Sequence, residues 1–201
     1  MNRILLSLAT LILLAGCGGS DTPPTGSSNF STTARSLPGK PVVVLETSKG
    51  AIAIELYPDK APITVKNFLD YVDDKFYDGT VFHRVMPDFM IQCGGFLPGM
   101  KEKTTKSSIK NESGNGLSNV PGTIAMARTN DPHSASAQFF INVNDNSRLD
   151  NQGGGYCVFG KVIDGMDVVH KIRTVPTDTI AGHQNVPVEN VVIQVARRAP
   201  E

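Results

Sequence analysis

Apolar residues first gather between Ile4 and Leu14, in a run broken only by Ser7 and Thr10 and preceded by Arg3. The run is too short to hold a permanent bilayer span and has the length of a secretory hydrophobic region. It ends in Leu14-Ala15-Gly16-Cys17. From Gly18 to Pro41 the chain turns to Gly, Ser, Thr and Pro, with Phe30 and Leu37 its only large apolar residues. Such a stretch cannot bury enough surface to offset its ordering entropy, and it reads as a flexible tether. At Val42 the pattern changes to period two. Val42 to Glu46, a turn at Ser48-Lys49-Gly50, and then Ile52, Ile54 and Leu56 facing one way predict a β-hairpin with one buried face. Pro62 suits a first helical position, and Val65, Phe68, Leu69 and Val72 form one helical stripe, predicting a helix that ends near Lys75. A second short helix is predicted from Gly165 to Arg173, with Met166, Val169 and Ile172 on one side. Short strands are predicted at Val81–Val85, Phe89–Gln92, Thr123–Ala127, Phe139–Val143, Tyr156–Val162 and Val188–Ala196. Residues 96 to 120 carry little periodicity and read as a long functional loop.

Composition narrows the picture. The length of 201 residues, less its N-terminal stretch, suits one domain with a real core. The formal net charge is zero and no lysine-arginine block occurs, so nothing attracts a nucleic-acid backbone. The 19 glycines favour a fold with many turns over a helical bundle. The four histidines, His83, His133, His170 and His183, lack ligand spacing, and no metal is expected. Cys93 and Cys157 are open to two readings, a disulfide or two small buried residues. Phe159 reads as core.

The candidate chemistry sits in four segments. Phe82-His83-Arg84-Val85-Met86-Pro87-Asp88-Phe89-Met90-Ile91-Gln92 places an arginine, an aromatic and a glutamine on two adjacent strands. Met126-Ala127-Arg128-Thr129, Gln138-Phe139-Phe140, and Phe159-Gly160 followed by Asp164-Gly165-Met166 come later in order. The run from Phe82 to Gln92, the Gln138-Phe139-Phe140 block, and Phe159-Gly160 with Asp164-Gly165-Met166 resemble the signature segments of cyclophilins; the resemblance covers residues 41 to 196 and is strongest to bacterial cyclophilins. The resemblance implies a mainly β fold: a closed eight-stranded antiparallel barrel capped by two α-helices, with its site in an outer groove. It implies peptidyl-prolyl cis–trans isomerase activity, without cofactor or metal, on proline-containing unfolded or extended polypeptides. It implies Arg84 as the catalytic arginine, Gln92 as the residue orienting it, and Phe89, Met90, Phe140 and Leu149 as a pocket for the proline ring. Ala127, Arg128 and Gln138 would line the peptide groove, and Tyr156 stands where eukaryotic members have histidine. Three residues depart from the family pattern. Arg148 stands where many eukaryotic members have tryptophan, which implies weak cyclosporin binding. Arg128 replaces a common asparagine, and Cys93 a common glycine.

The tetrapeptide ending at Cys17 resembles the lipobox of bacterial lipoproteins, where the chain is cut before an acylated cysteine; a plain signal peptide is the other reading. The expected organisation is a lipoprotein signal peptide at 1–16, a lipidated cysteine and tether at 17–40, and an isomerase domain at 41–199. Gly18 after the cysteine resembles an outer-membrane sorting signal, so a monomer anchored by lipid at the periplasmic face of the envelope is expected. A non-catalytic proline-peptide-binding chaperone would share the groove, but divergent members of such families lose the arginine. A structural lipoprotein would explain the lipobox and not the groove.

Overall fold

The computed structural model describes residues 35–36 and 38–200. The secretory run, Cys17 and most of the tether lie outside the described residues. The expected hairpin is β1 (Val42–Thr47) and β2 (Gly50–Leu56), joined through Ser48-Lys49 with Thr47 opposite Gly50. Helix α1 (Pro62–Asp73) follows, then β3 (Arg84–Met86), β4 (Met90–Cys93), the small pair β5 (Phe96–Leu97) and β6 (Lys101–Glu102), β7 (Thr123–Met126) and β8 (Phe139–Asn142). Two 3-10 segments, Ser147–Asp150 and Gln152–Gly154, precede β9 (Val158–Asp164) and helix α2 (Met166–Arg173). The described chain closes with the hairpin β10 (Thr177–Ile180) and β11 (His183–Pro187), then β12 (Ile193–Arg198).

Eight strands form one antiparallel sheet in the order β12-β1-β2-β9-β7-β8-β4-β3. The expected closed barrel is corrected here, because no ladder joins β3 to β12 and the sheet is a curled, open half-barrel. The reason lies in the three-residue length of β3. Residues 79–82 meet the edge of β12 first, through Gly79 N donating to Ile193 O, Ile193 N to Thr80 O (both 2.8 Å) and an isolated bridge from Val81 to Val192. By His83 the chain has turned away, and the His83 amide donates to Gln92 O on β4 at 3.1 Å.

The main core lies on the concave face. Val43, Leu45, Ile52, Ile54, Leu56, Phe82 and Phe159 are buried there, and α1 adds its predicted stripe of Val65, Phe68, Leu69 and Val72. The Phe68 ring meets Phe139 edge-on at 5.2 Å and Phe159 at 5.2 Å, geometries that add to burial alone. The hairpin has two buried faces and not the expected one, since Val42, Val44, Ala51 and Ala53 form a second cluster with Ala199. Helix α1 has no cap of its own at Ala61. Glu112 of the long loop supplies one: its carboxylate accepts from the amides of Ile63 (3.1 Å) and Thr64 (2.8 Å) and from the Thr64 hydroxyl. An anion at a helix N-terminus satisfies open donors and complements the helix dipole.

The alternation of β4, β7 and β8 places the site. Ile91, Cys93, Ile124, Met126, Phe139 and Ile141 point to the main core. Their neighbours Met90, Ala125 and Phe140 point to the convex face and join Leu149 and Val158 in a separate apolar cluster. Register puts Gln92 opposite Phe140, and Phe140 opposite Ala125. The central sheet therefore has one face for stability and one for a ligand.

Candidate active site

The convex face carries a groove of about 860 Å³. All ten residues singled out from the sequence line it. Arg84, Phe89, Met90 and Gln92 come from β3, β4 and their turn. Ala127, Arg128, Gln138, Phe140, Leu149 and Tyr156 come from β8 and the segments around β7, β8 and the 3-10 turns. The floor is Met90, Phe140 and Leu149, each buried, with Phe89 and Tyr156 partly buried at its sides. The rings of Phe140 and Tyr156 meet edge-on at 6.0 Å.

Arg84 is half-buried, with its Cζ 6.0 Å from the Phe89 ring centroid. Among the described residues it has no hydrogen-bond or ion-pair partner, so its donors are available to a ligand. Gln92 stands opposite Arg84 in the ladder, yet its Nε2 donates to Gln138 Oε1 at 2.9 Å and no hydrogen bond joins it to the guanidinium. Gln92 is thus paired with Gln138 beside Arg84. Gly95 leaves room for that pair, since a Cβ there would lie 2.6 Å from Gln138 Nε2.

Arg128 does not cross the groove. Its Cζ lies 4.2 Å from the Tyr156 ring centroid. Its Nε donates to Gly155 O, its Nη1 to Thr129 O, and its Nη2 to the carbonyls of Gln152 and Gly153, all between 2.8 and 3.1 Å. The guanidinium therefore fastens the loop 152–155 that forms one wall. Beneath the opposite wall runs a chain of buried amides. Asn146 Nδ2 donates to Phe89 O (2.7 Å) and to Asn142 Oδ1 (2.8 Å), Asn142 Nδ2 to Thr123 Oγ1 (2.9 Å), and Asn119 Nδ2 to Asp150 Oδ1 (2.8 Å). Asp150 sits below the usual carboxylate range: burial raises it, but hydrogen bonds from Ser118 and Asn119 outweigh that.

Both cysteines of the domain are free and buried. Burial pushes the Cys93 thiol well up and the Cys157 thiol to about 11. Cys93 faces the main core, on the side of β4 away from the groove. Among the described residues no cluster of His, Cys, Asp or Glu could hold a metal ion, and no helix is long and apolar enough to cross a membrane.

The model of the cyclophilin-type peptidyl-prolyl cis–trans isomerase family matches residues 42–198, nearly the whole described domain. The chain belongs to the cyclophilin-type peptidyl-prolyl cis–trans isomerases. It is similar to peptidyl-prolyl cis-trans isomerase B of Escherichia coli, 58% identical over 158 residues, or 76% of this chain and 96% of that one. It is 59% identical to a peptidyl-prolyl cis-trans isomerase of Acinetobacter baylyi over 154 residues, 76% of this chain and 82% of that one. Among solved structures it resembles a Cryptosporidium parvum cyclophilin at TM-score 0.71 and 26% identity, covering 81% of this chain and 99% of that one. That protein was also crystallised in the presence of the dipeptide Ala-Pro, and this form matches at TM-score 0.68 with 26% identity over 78% of this chain and 97% of that one. The protein is an enzyme that interconverts cis and trans X–Pro bonds.

The cyclophilin groove also has lining residues that sequence reasoning did not assign to it. His83, Met86, Phe96, Gln152 and residues 182–185 of β11 and its turn are all there, beside Arg148. The rings of His83 and Phe96 meet tilted at 4.6 Å, and those of Phe96 and His183 meet edge-on at 5.4 Å. His83 is 5% exposed, and its Nδ1 has no partner among the described residues. Burial holds it down at about 4, so it is neutral at ordinary pH. Adjacency to Arg84 was the only sequence signal for His83, and β11 gave none.

Proposed function

We propose that Arg84 is the catalytic residue of this isomerase, acting on a proline ring held by Phe89, Met90, Phe140 and Leu149, and that the enzyme works lipid-anchored at Cys17 on the periplasmic face of the envelope. Rotation about an X–Pro bond breaks no covalent bond, but its barrier is about 20 kcal/mol because the planar amide loses resonance. In the twisted state the prolyl nitrogen becomes pyramidal and regains a lone pair. A guanidinium that donates to that lone pair binds the transition state more strongly than either ground state. Arginine fits the task because it stays charged and holds its donors in a rigid fork. The buried floor grips the ring while the preceding carbonyl swings, and its low polarity favours the less polar twisted amide.

The observation that carries this reading is the Arg84 guanidinium, half-buried and without a partner among the described residues, beside the Phe89 ring at the edge of the apolar floor. Gln92, Gln138, Ala127 and Tyr156 line the path of the peptide backbone. The charge of exposed Arg148 at the groove supports weak binding of the largely apolar cyclosporin. The N-terminal pattern supports the anchoring: a short apolar run ending in Leu14-Ala15-Gly16-Cys17, then a tether long enough to hold the domain clear of lipid. Exported polypeptides that are still unfolded are the clients that location implies, and a monomer suffices for the chemistry. Metabolic labelling with a radioactive fatty acid tests the anchor. The parent chain is expected to take up label and fractionate with outer membranes, and Cys17→Ser to do neither; label retained by Cys17→Ser contradicts the anchor.

A further inference from the structure

The groove is charged although the chain as a whole is not. The sequence has 19 basic and 19 acidic side chains, a formal net charge of zero. Arg84, Arg128 and Arg148 line the groove, and no carboxylate does so among the described residues. Six ion pairs occur elsewhere in the described domain, and none includes these arginines. Arg128 donates only to backbone carbonyls, which leave its charge uncancelled. Arg84 and Arg148 flank one aromatic ring, with their Cζ atoms 6.0 and 5.1 Å from the Phe89 centroid. The carboxylates next to Arg148 in the chain are engaged: Asp150 accepts from Ser118 and Asn119, and Asp145 from the Ser147 amide. Uncancelled positive charge in a half-enclosed groove concentrates anionic ligands and sets partner choice.

We propose that this groove selects X–Pro segments with an acidic side chain beside the X–Pro pair, and that Arg148 is the residue that sets the preference. The inference rests on the assignment of the groove as the isomerase site. Arg148 is exposed and directly precedes Leu149, whose side chain is in the floor. Its guanidinium therefore stands at the mouth of the proline pocket, where residues flanking the ring must pass. Arg84 is committed to the prolyl nitrogen and Arg128 to the wall, which leaves Arg148 to meet a carboxylate. Stacking on Phe89 holds its planar fork in place while leaving its edge to a ligand.

The test uses the full chain and three peptides in which an Ala-Pro pair is flanked on both sides by Glu, by Gln or by Lys. Exchange NMR gives kcat/KM, and shifts in the same titrations give dissociation constants. At low salt the Glu peptide is expected to exceed the Lys peptide by about fivefold, the size of a partly screened charge pair. The ratio is expected to approach one at about 1 M salt, to persist in Arg148→Lys and to invert in Arg148→Glu. Equal values for the three peptides, or a parent-like ratio in Arg148→Glu, overturn the proposal. If no peptide is isomerised faster, the isomerase assignment of the groove fails separately, and the dissociation constants then decide: tightest binding of the Glu peptide supports the charge selection, and equal binding overturns it.

Discussion

Arg128 acts through what it holds in place. Its guanidinium ties four carbonyls and covers Tyr156, so the shape of one groove wall depends on a side chain that need not touch the reacting bond. Arg128→Ala is expected to raise KM about three- to tenfold while leaving kcat within about twofold, the signature of lost uniform binding. Exchange NMR over a range of peptide concentrations separates the two constants, and an unchanged KM contradicts the role. His83 makes a second prediction. Burial keeps its imidazole at about 4 in the folded protein, against about 6.5 in an unfolded chain. Between those values the unfolded chain binds a proton that the folded one does not. Stability therefore rises with pH through this window and falls as pH drops from about 6.5 to about 4, by on the order of 3 kcal/mol. Urea unfolding at pH 7 and pH 4.5 is expected to show His83→Gln losing much of that slope; a parent-like slope contradicts the assignment.

At the scale of elements, period-two alternation explains why adjacent phenylalanines differ in role, with Phe139 in the core and Phe140 in the groove. That much could be read in the sequence, as could the β1–β2 hairpin and the stripe of α1. Strand ends could not. Val188 is 59% exposed and lies outside β12, because an apolar β-branched residue signals a strand without fixing its partner. Hairpin β10–β11 escaped notice because Thr177-Asp178-Thr179 has no apolar face, so the positive-φ turn at Ala181-Gly182 had no strand pattern beside it to mark a hairpin. The buried amides also left no signal, since asparagine is usually a turn residue. Asn142, fully buried, donates to Thr123 and accepts from Asn146, which in turn holds the Phe89 carbonyl. Asn142→Leu strands those partners, and a loss of about 2–4 kcal/mol is expected in urea unfolding. A loss under about 0.5 kcal/mol contradicts the importance of this network.

At the scale of the molecule, the resemblance correctly indicated the family and the eight strands but not the open seam. Closure depends on how far β3 runs alongside β12, which is a matter of a few residues. The seam's scattered bonds predict local opening there before the ladder opens. Amide exchange is expected to be about tenfold or more faster at Gly79, Phe82 and Ile193 than at Leu45 and Ala53 in the middle of the sheet. Equal protection contradicts an open seam. Arg84 is half-buried in the groove, outside the main core, so changing its side chain is expected to affect function with little effect on stability.

That separation makes one measurement most direct. Exchange NMR on a short Ala-Pro peptide, with the parent and Arg84→Ala at equal concentration, reads the reaction itself, and thermal unfolding of both reads the fold. The predicted result is unchanged unfolding with kcat/KM reduced about 100- to 1,000-fold, the cost of losing one preorganised donor. A folded Arg84→Ala protein with near-parent turnover would show that the guanidinium is not what stabilises the twisted amide.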